Sequence, residues 1–236
     1  MFKKNIYFIL VLIIVFVLGV MAGKNWERFS VSGYKQNNKY TYSFEGEGRF
    51  VTDAFYLDDG LFFIKVANQT GPNDNLFMEV FYDANGNKAK DDDDQWWGQY
   101  INVGYEDAES YEGVIPVKAQ KGNYFIFIDG GRWQITVNQP EITDKKAGRF
   151  ESFTGQGQNV SRMFYLEKGK YTFSAEYKGD DNFIVYLVDD RGNYSSRLVN
   201  VIGDYSDKFS VDIVIPGNYL FYVDGMGIWK IDPVQK

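Results

Sequence analysis

Cysteine and histidine are absent from this chain of 236 residues, and proline is scarce at 5. Without cysteine there is no thiol nucleophile, no disulfide and no site for a lipid-modified cysteine behind an N-terminal leader. Zinc sites and imidazole acid–base chemistry go with those two residue types. The cysteine count does not place the chain in a redox compartment, since a chain without thiols is compatible with any. Basic charge is in deficit as well: 25 Lys and Arg stand against 32 Asp and Glu, a formal net charge of −7. Loss of the leader with Lys3 and Lys4 makes it −9. Nucleic acid and anionic lipid both require Lys/Arg patches, so nucleic acid is excluded as a partner. Beyond residue 23 no stretch carries a helical period.

What is abundant points elsewhere. Aromatics make up 18% of the residues, chiefly 20 Phe and 18 Tyr, and there are 24 Gly. That mixture suits strands and tight turns. The one long apolar run, Ile6–Ala22, follows Lys3 and Lys4 and gives way to the polar Lys24-Asn-Trp-Glu-Arg28. It has the length of a short membrane span, and Val20-Met-Ala22 offers the small or aliphatic residues a signal peptidase reads. Residues 1–23 are therefore an uncleaved signal anchor, forming an N-terminal hydrophobic helix, or a cleaved signal peptide. Either way the lysines stay inside and the rest is exported.

The remainder is one module written twice. Phe44-Glu-Gly-Glu-Gly48 matches Phe153-Thr-Gly-Gln-Gly157, Phe55-Tyr-Leu57 matches Phe164-Tyr-Leu166, and Gly60 matches Gly169. Leu76–Tyr82 aligns with Asn182–Val188 and Asp83-Ala-Asn-Gly-Asn87 with Asp189-Asp-Arg-Gly-Asn193. Lys121-Gly-Asn-Tyr124 and Trp133-Gln-Ile135 return as Pro216-Gly-Asn-Tyr219 and Trp229-Lys-Ile231. The expected layout is a polar spacer over 24–38, a first module over 39–140, a linker over 141–148 and a second module over 149–236. Phe62, Ile64 and Val66 recur at every second position, as do Tyr171, Phe173, Ala175 and Tyr177, marking strands with one face on a core. Phe183–Val188 is apolar on both faces, as in a central strand covered from both sides or facing a neighbouring module. Asp129-Gly130 and Asp224-Gly225 read as hairpin turns. Short strands punctuated by turns give an all-β fold of two tandem jelly-roll-like antiparallel β-sandwiches.

The second copy carries Gly155, Gly157, Phe164, Leu166, Gly169, Tyr171, Phe173, Asn182, Phe183, Val185, Leu187, Asp189, Gly192, Gly217, Tyr219, Val223, Gly227, Trp229 and Ile231. In this pattern the chain resembles the prokaryotic secreted β-sandwich modules related to the pre-peptidase C-terminal (PPC) domain. The first copy departs from it: Leu76 stands in place of Asn182 and Glu79 in place of Val185, and the stretch from Asn87 to Tyr100 is longer and acidic. The resemblance rests on fold-determining residues. It implies an accessory module of exported proteins that attaches, spaces or binds, some relatives taking calcium or extracellular polymers, and it supplies no catalytic residues.

Candidate sites gather in the first copy. Asp83, Asn85, Asn87 and the run Asp91, Asp92, Asp93 and Asp94 offer the oxygen ligands Ca²⁺ prefers. An EF-hand is excluded, because Lys88 occupies the position that requires glycine and no helices flank the loop. The competing reading is a hairpin turn followed by a solvated acidic run. Trp96 and Trp97 have no counterpart in the second copy. Neighbours in a strand face opposite ways, so at most one enters the core and the other is a candidate for stacking on a sugar ring or a partner. Glu79, between Phe77 and Phe81 on what reads as one apolar face, is a third ligand-binding candidate, or else a wet carboxylate on an open face. Trp133 and Trp229 belong to the core. Gly-x-Gly at 46–48 and 155–157 is not followed by strand-then-helix, so no nucleotide loop is read there. Together these residues describe an exported, non-catalytic, tandem β-sandwich protein that binds or displays at the cell surface, with Ca²⁺ as the candidate cofactor and an extracellular polymer or surface protein as partner. The alternative is a carbohydrate-binding or carbohydrate-active protein using carboxylates near Trp96 and Trp97.

Overall fold

In the computed structural model the residues described are 38–69, 76–82, 87–88, 98–101, 111–141 and 145–234. Alternation of Phe, Tyr, Ile and Val with polar residues makes strands of nearly all of them. The first copy contributes β1 (Asn38–Glu47), β2 (Phe50–Val51), β3 (Phe55–Leu57), β4 (Gly60–Gln69), β5 (Leu76–Tyr82), β6 (Asn87–Lys88), β7 (Gly98–Ile101), β8 (Tyr111–Ala119), β9 (Gly122–Asp129) and β10 (Arg132–Pro140). The second contributes β11 (Phe153–Gln156), β12 (Asn159–Val160), β13 (Phe164–Leu166), β14 (Gly169–Lys178), β15 (Asn182–Asp189), β16 (Tyr194–Ile202), β17 (Tyr205–Ile213), β18 (Gly217–Gly225) and β19 (Ile228–Pro233).

One sheet of the first sandwich runs β1-β10-β4-β8, and the other runs β2-β9-β5-β6 with β3 on β9 and β7 on β5. The second sandwich repeats this as β11-β19-β14-β17 and β12-β18-β15-β16, with β13 on β18. All pairings are antiparallel. The first strand pairs with the last and most successive strands change sheet, which is the jelly-roll order. That order corrects one expectation. Asp129-Gly130 is a crossing between sheets, because β9 and β10 do not pair. Asp224-Gly225 lies inside β18, paired with Ile184 and Phe183.

Each sandwich closes over its own core. Phe62, Ile64, Ile126, Trp133 and Val137 are among those filling the first, and Phe173, Phe183, Val185, Phe221 and Trp229 among those filling the second. The repeated Gly-x-Gly now has a physical role. A side chain at Gly46 or Gly155 would place its Cβ 2.6 Å from the Trp133 ring or 2.5 Å from the Trp229 ring. The second glycine of each pair, Gly48 or Gly157, adopts φ +70° and turns its carbonyl toward the indole. Trp133 Nε1 donates to Gly48 O at 3.0 Å and Trp229 Nε1 to Gly157 O at 2.8 Å. The two tryptophans are thus buried with their single polar atom satisfied.

The repeat is misaligned by one residue in β5. Met78 and Val80 are buried and pair with Ile128 and Ile126, whereas their structural counterparts Val185 and Leu187 pair with Val223 and Phe221. Glu79 therefore corresponds to Tyr186 rather than to Val185. A one-residue shift turns every side chain of a strand to the other face. Glu79 thus lies on the outer face, and Met78 and Val80 on the core face.

Gln36–Lys236 forms one compact unit. A third apolar cluster joins the sandwiches within it: Leu61 of β4 is buried with Val160, Val188, Leu220 and Tyr222 of the second copy, flanked by Phe63 and Val114. Val114 N donates to Gln158 O at 3.0 Å and Tyr194 Oη to Pro116 O at 2.9 Å across the same contact. Gly192, at φ +84°, has the Lys118 backbone 2.9 Å from where a Cβ would stand. The doubly apolar face of β15 is accounted for: Phe183, Val185 and Leu187 face the core, while Tyr186 and Val188 join the cluster shared with the first sandwich.

Candidate functional site

The outer face of the β2-β9-β5-β7 sheet carries Val51, Phe125, Phe127, Glu79 and Asp129. Tyr124, Ile126 and Ile128 point inward from β9, which leaves Phe125, Phe127 and Asp129 on the other side. Val51 is paired with Phe127 and is 51% exposed. Glu79 is half-buried and stands opposite Phe127 on β9 and Gly98 on β7. Gly98 follows Trp97 directly in the chain. Arg49 closes the upper end, donating from Nε and Nη2 to Asp129 Oδ2 at 2.9 and 2.7 Å. Its guanidinium lies 6.0 Å from the centre of the Phe127 ring.

Trp96, Trp97, Asp83, Asn85, Asp91, Asp92, Asp93 and Asp94 lie outside the described residues, and of Asn87 only the backbone is described. Asn87 and Lys88 pair with Tyr82 and Phe81, so the chain reverses between β5 and β6. At the matching reversal of the second copy, both oxygens of Asp189 are engaged. They accept from Arg191 N at 2.9 Å, Asn193 N at 2.8 Å and Asn193 Nδ2 at 2.8 Å. Among the described residues no three acidic side chains form a metal-holding group. None of their helices is long and apolar enough to cross a membrane, and the 6–22 run lies outside them.

Several polar arrangements escaped the sequence reading. Asp58 is held below the usual carboxylate range, first by its hydrogen bond from Lys39 at 2.5 Å and then with help from Tyr40 and Tyr56. Burial pushes Asp190 up, opposed by the Asn218 amide. Burial also pushes Asp224 up, opposed by Gln158 Nε2 at 2.7 Å. Asp224 corresponds to Asp129 and Gln158 to Arg49: Thr52 and Ser161 mark the register, each hydroxyl accepting from the next strand, Ile126 N at 2.9 Å and Phe221 N at 2.8 Å. The cationic partner of the first copy has become an amide in the second, where the same face is covered. A side-by-side alignment of Arg49-Phe-Val-Thr52 and Gln158-Asn-Val-Ser161 was the signal for it. Asn68, 1% exposed, has no hydrogen-bond partner for its amide among the described residues and occupies the position of Tyr177.

The chain is thus an all-β protein of two tandem jelly rolls. No family model and no curated protein matches it. The solved structures similar to it at a distance include three examples. The CBM22-1–CBM22-2 tandem domain of Paenibacillus barcinonensis Xyn10C is 10% identical over 86% of this chain and 98% of that one, with a TM-score of 0.27. The M60 catalytic domain with CBM51-1 and CBM51-2 of Clostridium perfringens ZmpB is 8% identical over 83% of this chain and 34% of that one, at 0.25. The PBSX exported protein XepA is 10% identical over 87% and 88%, at 0.27. Likeness at this level leaves the fold and function to rest on the chain's own strands and side chains.

Proposed function

We propose that this chain is an exported, non-catalytic tandem β-sandwich protein of PPC-like character that binds or displays at the cell surface, held there by residues 1–23 or released when they are cleaved. Its ligand contact is the β5–β7 part of the first sandwich's outer face. The observation that supports this most is the outward placement of Glu79 opposite Gly98, the residue that follows Trp97. A carboxylate on a sheet face beside an aromatic segment suits an extracellular polymer, with sugar C–H groups on a ring and hydroxyls on the acid. The second copy has Tyr186 in place of Glu79 and covers that face with protein, so a single copy does the binding. The Asp83–Asp94 stretch is the candidate Ca²⁺ site that assists it.

Binding of the full chain to a glycan array and to cell-wall polymer of its own cells tests the proposal. Retention should be lost in Trp97→Ala or Trp96→Ala and weakened in Glu79→Gln, with the melting temperature unchanged. Silence across both supports, or retention indifferent to all three substitutions, overturns it.

A further inference from the structure

At one end of each sandwich, two turns that cross between its sheets stand side by side. In the first copy these are 57–60 and 119–122, joined where Leu57 pairs with Gly122 and Gly60 with Ala119. In the second they are 166–169 and 213–217, joined where Leu166 pairs with Gly217 and Gly169 with Ile213. A tyrosine fixes the later turn of each pair. Tyr124 Oη donates to Gln120 O at 2.8 Å, and Tyr219 Oη to Ile215 O at 2.7 Å. The backbone device is repeated, but what the turns carry is not.

The first copy's turns present Asp58, Asp59, Gln120 and Lys121, with Lys121 N donating to Asp59 Oδ1 at 2.9 Å. The second copy's present Glu167, Lys168, Val214, Ile215 and Pro216. Val214 and Ile215 are each 73% exposed. The turn does not need them in order to form, since Gln-Lys serves in the first copy. Lysines gather around this apolar tip. Lys168 lies on the neighbouring turn and Lys170 just beyond it. Lys145 and Lys146 run beside Asn218, which donates to Lys145 O at 3.1 Å and accepts from Ala147 N at 2.8 Å. All four are exposed. Of the acids here, Glu167 is 2.9 Å from Lys146, Asp212 stands opposite Lys170, and Asp190 is turned onto the Asn218 amide at 3.4 Å. Folding thus assembles, from two stretches of an acidic chain, the basic patch that an anionic lipid surface requires.

Size and shape select the occupant. Two side chains on one short turn supply far less than the roughly 800 Å² per partner that a stable protein contact buries. A projecting apolar tip ringed by ammonium groups suits a lipid surface instead, with valine and isoleucine in the acyl boundary and lysines on the headgroup phosphates. Tyr165, half-buried with Lys146 Nζ 4.2 Å from its ring centre, has the amphipathic ring favoured at that depth.

We propose that the 213–217 turn docks on an anionic lipid surface through Val214 and Ile215, seated by Lys145, Lys146, Lys168 and Lys170. This goes beyond the polymer contact, which lies on the first sandwich, and it applies whether residues 1–23 stay or are cleaved.

The absence of cysteine lets one dye be placed without background. The full chain with Ile215→Cys carries an environment-sensitive dye and is added to phosphatidylcholine vesicles containing phosphatidylglycerol. Its emission should shift to the blue and be lost to a quencher attached to the lipid tails. Gln120→Cys, on the matching turn of the first copy, and Ile202→Cys, 78% exposed at the end of β16, are the controls and should show neither change. Tethering by residues 1–23 alone does not insert any of the three. Adding Val214→Asp, or Lys145→Glu with Lys168→Glu, to Ile215→Cys should abolish both signals, with melting curves confirming folding. Vesicles of phosphatidylcholine alone should give neither signal. Quenching at 215 no greater than at 120 and 202, or equal with and without phosphatidylglycerol, overturns the proposal. No polymer is present, so failure here and failure of the polymer reading are distinguishable.

Discussion

Leu61 is the residue on which the union of the two sandwiches turns. It is wholly buried among Val160, Val188, Leu220 and Tyr222, yet it lies on the outer face of its own sandwich. Leu61→Ala removes most of a side chain from a packed contact, a loss of about 3 kcal/mol within the 2–5 kcal/mol seen for such truncations. For a cooperative body of about 200 residues that lowers the melting midpoint by roughly 6–12 °C. Leu61→Lys, which copies the residue at the matching position Lys170, adds the cost of a buried ammonium to the lost burial. The contact should then open while each sandwich keeps its own core. Calorimetry would show one transition in the parent protein and two in Leu61→Lys, with faster proteolysis between residues 141 and 145. A single transition at the parent midpoint in Leu61→Lys would refute the reasoning, since it would mean that this cluster does not couple the modules.

Three further outcomes are expected. Gly155→Ala sets a methyl group into the Trp229 ring and should cost about 1–3 kcal/mol, read by urea unfolding, with the same for Gly46→Ala against Trp133. Asp224 has a folded pKa raised above its ordinary value of 3.8, so its contribution is full below that value and is lost as pH rises through the raised one; Asp224→Asn should flatten the dependence of melting temperature on pH in that window and stabilise the protein at neutral pH. Ca²⁺ should raise the melting temperature and Asp91–Asp94→Asn should abolish the rise; identical curves with calcium and with EDTA would remove the cation site.

Much of the architecture was legible in the residues. Period-two patterns placed β4 and β14, because a strand with one face on a core must alternate. The recurrence of Trp133 and Trp229 identified the core anchors, and the apolar character of both faces of β15 announced a second covering layer. What covers it was not legible, since alternation records burial and not the identity of the neighbour. Two local readings differed: Glu79 was aligned with Val185, one residue from its counterpart Tyr186, and the two Asp-Gly pairs were read as hairpins.

The physical reason is the same in each case. Repetition along the chain determined that there are two copies of one all-β module and which glycines and tryptophans hold each together, for those contacts are made by fixed offsets within a copy. Tertiary structure decided the side of the sheet on which Glu79 falls, because a single residue of register separates core from surface. It also decided that Val160 and Tyr222 belong to a contact between copies, whereas Val51, the counterpart of Val160, is half exposed.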